Sequence, residues 1–156
     1  IILPRILRMS ERKKFPLING GRALVDITYV GNLVGAVRNC LDAADEAWNE
    51  IYNISNGCPM TIHDWFAQML EVFGKRFKPK GVPAGMARLA AWMREFAALL
   101  PFGPKRPIMT RFSVDYMSKS MTLSIEKAKR RLGHKPKYSN RQSFEDYAEW
   151  FKRQNS

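Results

Sequence analysis

This 156-residue chain has three groups of side chains that could take part in catalysis or ligand binding: two histidines, two cysteines and several clustered cations. His63 and His134 lie far apart in the sequence, and neither has a cysteine, a histidine or a carboxylate at a spacing typical of zinc ligands. Cys58 precedes a proline, which is typical of a turn, and no G-x-S-x-G motif supplies a nucleophile. The sequence therefore predicts neither a metal site nor a nucleophilic site.

Lysine and arginine are concentrated in the middle of the chain. Residues 75–141 carry a net charge of +14, whereas residues 1–74 and residues 142–156 each carry −1. Such a segment would attract nucleic acid, anionic lipid or a phosphorylated ligand, and it would equally well form a solvated basic face. The most closely spaced lysines and arginines have no aromatic residues between them and form no known nucleic-acid recognition motif. We therefore expect no specific nucleic-acid binding. Those cations are Lys127, Lys129, Arg130, Arg131, Lys135 and Lys137.

The length and the composition indicate a single domain of a cytoplasmic protein. Hydrophobic residues make up 46% of the chain, which is enough for a core, and no apolar run reaches the roughly 18 residues of a membrane-spanning helix. Cys40 and Cys58 are too few for a disulfide framework, so we expect free thiols in a reducing compartment. The first residues have neither an initiating Met nor the order of a signal peptide, so we expect them to lie inside a longer gene product.

Periodicity and turn residues predict mostly helices with a few short strands. Asn32 is a candidate helix N-cap, and Thr61 with Asp64 resembles a capping box. Helices are expected over residues 4–14, from Asn32 to about Ala47, from Thr61 to Gly74, from Ala84 to Leu100, from Ser124 to Leu132, and from Ser143 onward. Strands are expected over Arg22 to Val30 and over Ile51 to Ser55. Residues 75–83 are expected to form a basic connector, and residues 108–123 short extended pieces.

The expected strand at residues 51–55 lacks an obvious neighbour. It is short and apolar, which is typical of a strand inside a parallel sheet. An unpaired buried strand would leave backbone donors and acceptors unsatisfied, at about 1–3 kcal/mol for each group. The simplest explanation is that its neighbours precede residue 1.

Four phrases of the sequence carry a family resemblance. They are Asp26-Ile27-Thr28-Tyr29-Val30-Gly31-Asn32, Tyr52-Asn53-Ile54-Ser55, Thr61-Ile62-His63-Asp64-Trp65 and the segment from Ser124 to Pro136 that contains Leu132-Gly133-His134. In this order and spacing they resemble the C-terminal part of the extended short-chain dehydrogenase/reductases. That epimerase/dehydratase class includes the 3β-hydroxysteroid dehydrogenases. Gly31 stands where the class usually has Asp.

The resemblance implies an α/β fold in which residues 1–156 are the C-terminal, substrate-side portion of a Rossmann-type enzyme, with the last sheet strand near residues 51–55. In this class an N-terminal Rossmann portion binds NAD or NADP through a glycine-rich turn, and a Tyr-x-x-x-Lys pair transfers the proton that accompanies hydride. This sequence contains neither motif. We therefore expect no catalytic and no cofactor-binding residues here, and no activity from this chain alone.

The resemblance also implies a role in holding a small-molecule substrate. In sugar-nucleotide enzymes of the class, arginines from comparable segments hold the diphosphate, and Arg22 and Arg111 stand near such places. The helix expected from Ala84 is apolar over most of its circumference, which resembles the sterol-dehydrogenase branch, where this region lines a hydrophobic pocket. Packing against the N-terminal portion, or against a membrane surface, would explain the same pattern.

Two functions therefore stay open at the level of sequence. The first is the substrate-binding part of an NAD(P)-dependent oxidoreductase or epimerase that acts on a hydroxyl or keto group of a sterol-like or nucleotide-sugar substrate. The second is a free-standing basic helical module that binds anionic membrane or nucleic acid. The expected partners are the substrate, the N-terminal Rossmann portion and, as open alternatives, a second copy and a peripheral membrane contact.

Overall fold

The computed structural model describes residues 3–10, 15–98 and 110–154, and within them it contains seven α-helices and four short strands. The helices are α1 (Leu3–Ser10), α2 (Val30–Leu41), α3 (Ile62–Val72), α4 (Ala84–Ala98), α5 (Arg111–Ser118), α6 (Glu126–Leu132) and α7 (Asn140–Gln154). The strands are β1 (Phe15–Ile18), β2 (Leu24–Val25), β3 (Met60–Thr61) and β4 (Pro79–Val82). Short 3-10 turns occupy Asn19–Gly21 and Asp45–Ala47. The mostly helical α/β composition agrees with the expected fold class.

The chain forms two compact units. The first unit comprises Ile1–Leu24 and Thr61–Met121, and the second comprises Val25–Met60 and Thr122–Ser156. In the first unit β1 pairs in parallel with β4, in a register that runs from Phe15 opposite Pro79 to Ile18 opposite Val82. The strands β2 and β3 form a second two-stranded sheet.

The core of the first unit packs on both sides of β1. Phe15 and Leu17 are buried, and the ring centroid of Phe15 lies 4.7 Å from that of Phe66 on α3. Ile18 belongs to a cluster with Ala87 and Ala91 of α4, and with Val114 of α5. Because side chains along a strand point alternately to opposite sides, β1 packs against α3 through Phe15 and against α4 and α5 through Ile18.

One cluster of the second unit's core lies against α6. Ala47, Ala128 and Leu132 are buried together, and Tyr52 and Ile54 pack against them. Gly133 ends α6 in the left-handed conformation, with φ +61°, as the Leu-Gly pair predicts.

The two predicted strands come out differently. Only Leu24–Val25 of the Arg22–Val30 prediction is a strand, because Val30 already begins α2. No strand is assigned at residues 51–55 within the described part of the chain. Instead, the carbonyl of Ile54 accepts a hydrogen bond from Thr28 Oγ1 at 3.0 Å. A strand forms only where a neighbouring strand pairs with its backbone N–H and C=O groups. An apolar composition alone does not provide that neighbour.

Two segments that the sequence predicted as non-helical connectors are regular elements. The basic connector contains β4, because Pro79–Val82 finds β1 as a parallel partner 64 positions away. The extended pieces expected over residues 108–123 contain helix α5, with residues 108–109 outside the described residues. The Oγ1 of Thr110 accepts a hydrogen bond from the backbone N–H of Ser113 at 3.2 Å, which is an N-cap that the prediction overlooked.

The cap predictions hold at one helix and fail at others. The Thr61 Oγ1 accepts a hydrogen bond from the backbone N–H of Asp64 at 3.0 Å, which confirms the start of α3. Asn32 is not an N-cap: it lies inside α2, where Tyr29 is the cap residue. Ser143 lies inside α7, where its Oγ donates to the carbonyl of Ser139. Both side chains are buried and also hydrogen-bond to Asn56, and these tertiary bonds outweigh the local preference.

The first helix and α4 match their predictions where they are described. Residues 11–14 of the first, residues 99–100 of the fourth, and the proline and glycine residues 101–104 expected to end it lie outside the described residues. The buried side of α4 consists of Ala87 and Ala91, while Met86, Leu89, Met93 and Phe96 are exposed. Among the described residues, no helix is long and apolar enough to cross a membrane.

Candidate functional site

An open cleft lies where β1 and β4 end in the first unit. Both strands run in the same direction, so their carboxyl ends meet at one edge of the small sheet. Ile18 leads directly into the Asn19–Gly21 turn, and Val82 leads into Pro83 and helix α4. The carboxyl edge of parallel strands is the usual place of ligand sites in α/β proteins.

The cleft has a volume of about 710 Å³ and combines backbone turns with polar side chains. The described residues that line it include no histidine, cysteine or carboxylate. The lining therefore suits binding. The lining residues are Asn19, Gly20, Arg22, Ala23, Gly81, Val82, Pro83, Ser118 and Ser120.

The Asn19–Gly21 turn shapes one wall of the cleft. Gly21 has φ +72°, and a Cβ at this position would lie 2.8 Å from the backbone N of His63. Only glycine therefore fits the close approach between the turn and the start of α3. Asn19 also has a positive φ of 48°, and its Oδ1 accepts a hydrogen bond from the backbone N of Ala84 at 3.0 Å. The side chain thus satisfies one of the free N–H groups at the start of α4.

Two serine hydroxyls face the cleft with different hydrogen-bonding capacity. Ser118 Oγ donates to the carbonyl of Asp115 at 3.1 Å, which leaves its oxygen able to accept. Ser120 Oγ accepts from the backbone N of Leu24 at 3.0 Å, which leaves its O–H able to donate. The pair provides one acceptor and one donor for an oxygen-bearing ligand.

Arg22 is the charged residue of the cleft lining. Its side chain is exposed, and within the described residues its guanidinium has no hydrogen bond or ion pair. A guanidinium binds carboxylate and phosphate oxygens through two parallel N–H groups. The structure therefore places Arg22, one of the two predicted binding residues, where it is able to hold an anionic group.

The second predicted binding residue, Arg111, does not line the cleft. Its backbone N donates to Glu95 Oε1 at 2.7 Å, and its Nε donates to Glu95 Oε2 at 2.7 Å. These hydrogen bonds from Arg111, first from its backbone and then from its side chain, lower the pKa of Glu95. Through these bonds to Glu95, Arg111 connects the start of α5 to α4.

Sequence reasoning did not find Asn19, Ser118 or Ser120 as cleft residues. The sequence Asn19-Gly20-Gly21 predicts a turn but gives no sign of a cleft. Ser118 and Ser120 lie almost 100 positions from the Asn19–Gly21 turn, and no local pattern links them to it. Only the packing of α5 against β1 brings them to the same edge.

A second cleft, of about 530 Å³, lies in the second unit and is bordered by cations. Lys127 Nζ lies 2.7 Å from Glu50 Oε2, and Arg131 donates to the carbonyl of Glu46 at 2.7 Å. The Lys127 ion pair lowers the pKa of Glu50. These cations tie α6 to the loop of residues 46–51. Among the described residues no group of three or more histidines, cysteines or carboxylates could hold a metal ion.

Helix α2 presents an apolar face to solvent. The side chains of this α2 face are between 42 and 73% exposed, and Ile51, in the run without a strand partner, is 86% exposed. On the other side of the helix Asn32 and Ala36 are buried. A surface helix normally turns its apolar residues inward, so this arrangement indicates a face that another structure covers. The α2 face comprises Val30, Leu33, Val34, Val37 and Leu41.

Comparison with known proteins identifies relatives along nearly the whole chain. No protein-family model matches it. A "Short-chain dehydrogenase/reductase family 42E member 1" of Xenopus laevis is 31% identical over 157 residues, which cover 96% of this chain and 40% of the relative. A "3beta-hydroxysteroid-dehydrogenase/decarboxylase isoform 1" of Arabidopsis thaliana is 30% identical over 147 residues, covering 87% of this chain and 33% of the relative.

Solved structures share the fold. A dTDP-glucose 4,6-dehydratase of Bacillus anthracis, solved in complex with NAD, superposes with a TM-score of 0.59 at 19% identity. The match covers 98% of this chain and 39% of the dehydratase. The chain thus spans between a third and two fifths of the length of these three proteins.

Proposed function

Since the chain belongs to the extended short-chain dehydrogenase/reductases, with relatives of the 42E and 3β-hydroxysteroid dehydrogenase types, we propose that it is the substrate-side part of a longer enzyme. That longer protein, called the parent below, is an NAD(P)-dependent oxidoreductase that acts on a hydroxyl or keto group. The dinucleotide-binding and catalytic residues lie in the remainder of the parent. The present chain supplies the surface that docks onto that remainder and the cleft that holds the substrate.

The observation that carries this proposal is the exposed α2 face together with Ile51, which is 86% exposed in a run where no strand is assigned within the described residues. Both belong to the second unit, and both have the apolar composition of an interior. A Rossmann portion would cover the α2 face and would offer the run at Ile51 a neighbouring strand. Burial of these side chains would contribute roughly 1.5–3 kcal/mol each, which is ample reason for the two parts to associate.

Val37→Glu tests this docking. In the parent the substitution buries a carboxylate at the proposed contact, so we expect a loss of about 2 kcal/mol or more in the free energy of unfolding. In the 156-residue chain alone Val37 is exposed, and the change should stay within about 0.5 kcal/mol. Ala44→Glu adds the same charge to an exposed residue outside the α2 face and is the control. Equal effects of Val37→Glu in the parent and in the chain would refute the docking proposal.

The nicotinamide ring supplies hydride chemistry in this class of enzyme, and NAD is present in the solved dehydratase. No G-x-G-x-x-G motif occurs in this chain, so we assign the dinucleotide to the remainder of the parent. The chain's own residues bind and orient the substrate. The choice between NAD and NADP and the type of reaction belong to the remainder as well.

We propose that Arg22 holds the anionic end of the substrate. Ser118 and Ser120 would bond its neighbouring oxygens, and the Asn19–Gly21 turn would let it approach the backbone. A sterol acid and a nucleotide diphosphate both carry such an anion. We favour the sterol-like substrate, because a relative at 30% identity is named as a 3beta-hydroxysteroid dehydrogenase/decarboxylase. A decarboxylase acts on a carboxylate, the anion that suits one guanidinium.

Steady-state kinetics of the parent test this assignment. Arg22→Ala should raise KM by about tenfold to a hundredfold with little change in kcat, and Arg22→Lys should restore part of the affinity. Arg76→Ala, which removes an exposed cation outside the cleft, is the matched control. Assays with a carboxylated sterol and with a nucleotide sugar decide the substrate class. Unchanged KM values in Arg22→Ala would refute the role of Arg22, and activity on neither substrate would refute the substrate proposal.

Two further expectations concern the parent's setting. Cys40 and Cys58 are free thiols, which suits the reducing cytoplasm that we propose for the parent. A homodimer is the proposed oligomeric state, and light scattering of the purified parent measures it directly.

A further inference from the structure

Helix α4 buries small residues and exposes large apolar ones, which is the reverse of an ordinary surface helix. Ala87 and Ala91 are its buried residues, packed against Ile18 and Val114. The large apolar side chains of the opposite side, which we call the α4 face, are each 58–66% exposed. The α4 face comprises Met86, Leu89, Met93 and Phe96.

The α4 face carries no polar side chain along the described helix. At 100° per residue, Ala97 and Ala90 lie beside Met86 at one edge of this face, and Trp92, half exposed, borders the other edge. The charged residues Arg88, Arg94 and Glu95 lie on the flanks, near the buried side. Arg88 pairs with Asp115 at 3.4 Å, and Glu95 pairs with Arg111. An uninterrupted apolar strip with cations along its edges results.

Exposed cations also precede the helix. Lys75, Arg76, Lys78 and Lys80 lie between α3 and α4 in the same unit, and all are exposed. The segment from residue 75 to residue 141 has a net charge of +14. Surface helices with bulky apolar residues on one side and lysine and arginine around them lie in the interface of anionic membranes.

We propose that the α4 face inserts into the headgroup region of an anionic lipid bilayer, with the cations of residues 75–80 and the flanking arginines contacting the lipid phosphates. The proposal is independent of the dehydrogenase function. A second copy is a poorer occupant, because association through this face would bring two segments of high positive charge together. The inserted residues are Met86, Leu89, Met93 and Phe96, and the contact is peripheral.

Vesicle sedimentation of the parent tests the proposal. We expect binding to vesicles of phosphatidylcholine with phosphatidylserine, weaker binding to phosphatidylcholine alone, and release as salt is raised. Leu89→Ser with Phe96→Ser should weaken binding at least about tenfold. The matched control is Leu123→Ser with Trp150→Ser, which removes one aliphatic and one aromatic side chain of similar exposure from the second unit.

A second variant probes the cations without altering the α4 face. Lys78→Glu with Lys80→Glu should weaken binding to the anionic vesicles about tenfold and should leave the thermal unfolding of the parent unchanged. Trp92 provides a spectroscopic signal: brominated lipid should quench the parent's fluorescence less in Trp92→Phe than in the wild type. These results together would support the membrane contact.

Four outcomes would overturn it. The wild-type parent would fail to bind anionic vesicles, or Leu89→Ser with Phe96→Ser would bind as well as its control. Alternatively, that variant would halve the mass of the parent in light scattering, or lower its thermal stability well below that of the control. A halved mass would identify a second copy as the occupant of the α4 face. A lowered thermal stability would identify the remainder of the parent as the occupant.

Discussion

The side-chain amide of Asn32 donates a 2.9 Å hydrogen bond to Oδ1 of Asn56, and both residues are buried in the second unit. The same amide donates to the carbonyl of Tyr138, while Asn32 Oδ1 accepts from the backbone N atoms of Lys137 and Tyr138. Asn56 in turn donates to Asn140 Oδ1 at the start of α7. One amide pair therefore joins α2, the residues after 51–55 and the segment that leads into α7.

Asn32→Asp should destabilise the chain by about 3 kcal/mol. The substitution keeps the shape, but it replaces two donated hydrogen bonds by a carboxylate oxygen that faces two acceptors. Urea unfolding measures the loss. Asn39→Asp, on the same helix and only partly buried, is the control and should change stability by less than about 0.5 kcal/mol. A loss for Asn32→Asp no larger than the control's would show that the amide network does not hold the unit together.

Tyr29 should make stability fall at alkaline pH. Its hydroxyl donates a 2.7 Å hydrogen bond to Asp146 Oδ2, and this bond, with partial burial, raises the pKa of Tyr29 to about 12. An unfolded tyrosine loses its proton near pH 10. The stability that the bond contributes is therefore complete below about pH 10 and is lost as the pH rises toward 12.

Tyr29→Phe should remove this dependence. Urea unfolding across the alkaline range should show the wild type losing its advantage over Tyr29→Phe between about pH 10 and pH 12. Tyr116→Phe, which removes an exposed hydroxyl of α5, should follow the wild type. A constant difference between the wild type and Tyr29→Phe over this range would contradict the prediction.

Glu95 should contribute stability at neutral pH that is lost in acid. The hydrogen bonds from Arg111 lower the pKa of Glu95, so the folded state holds the carboxylate ionised to a lower pH than the unfolded state does. The contribution is present above the unfolded pKa and disappears as the pH falls through the folded pKa. Glu95→Gln should be less stable than the wild type at neutral pH, and the gap should narrow in acid. Glu149→Gln, at an exposed ion pair with Arg153, should show no such gap.

His134 should be a site where substitution stabilises the chain. The residue is 1% exposed, and its Nε2 has no hydrogen-bond partner within the described residues. Burial of an unpaired polar atom costs about 1–3 kcal/mol, so His134→Phe should raise the free energy of unfolding by about 1 kcal/mol. Thermal and urea unfolding measure the change. A loss of stability in both His134→Phe and His134→Leu would mean that the ring nitrogen is satisfied in solution.

Local signals predicted the elements that depend on local hydrogen bonds. Thr61 with Asp64 marked the start of α3, Gly133 marked the end of α6, and the periodicity after Ala84 marked α4. Each of these features is set by groups within four residues of one another. The sequence therefore carried the information, and the family resemblance followed from phrases of the same short range.

Elements that depend on distant partners were missed or misassigned. The strand Pro79–Val82 exists because Phe15–Ile18 lies beside it, and residues 51–55 form no strand within the described part because no ladder partner is present there. Arg22 and Arg111 looked equivalent in sequence. Tertiary packing placed the first at the cleft and paired the second with Glu95.

The sequence by itself determined the family, the mostly helical composition, the basic middle segment, the start of α3 and the end of α6. Only the tertiary structure decided which side of each amphipathic helix is buried. Periodicity shows that α4 has a strip of large apolar residues, but β1 and α5 approach closely enough to accept only Ala87 and Ala91. The exposed α2 and α4 faces, and with them the proposed docking and membrane surfaces, follow from that packing.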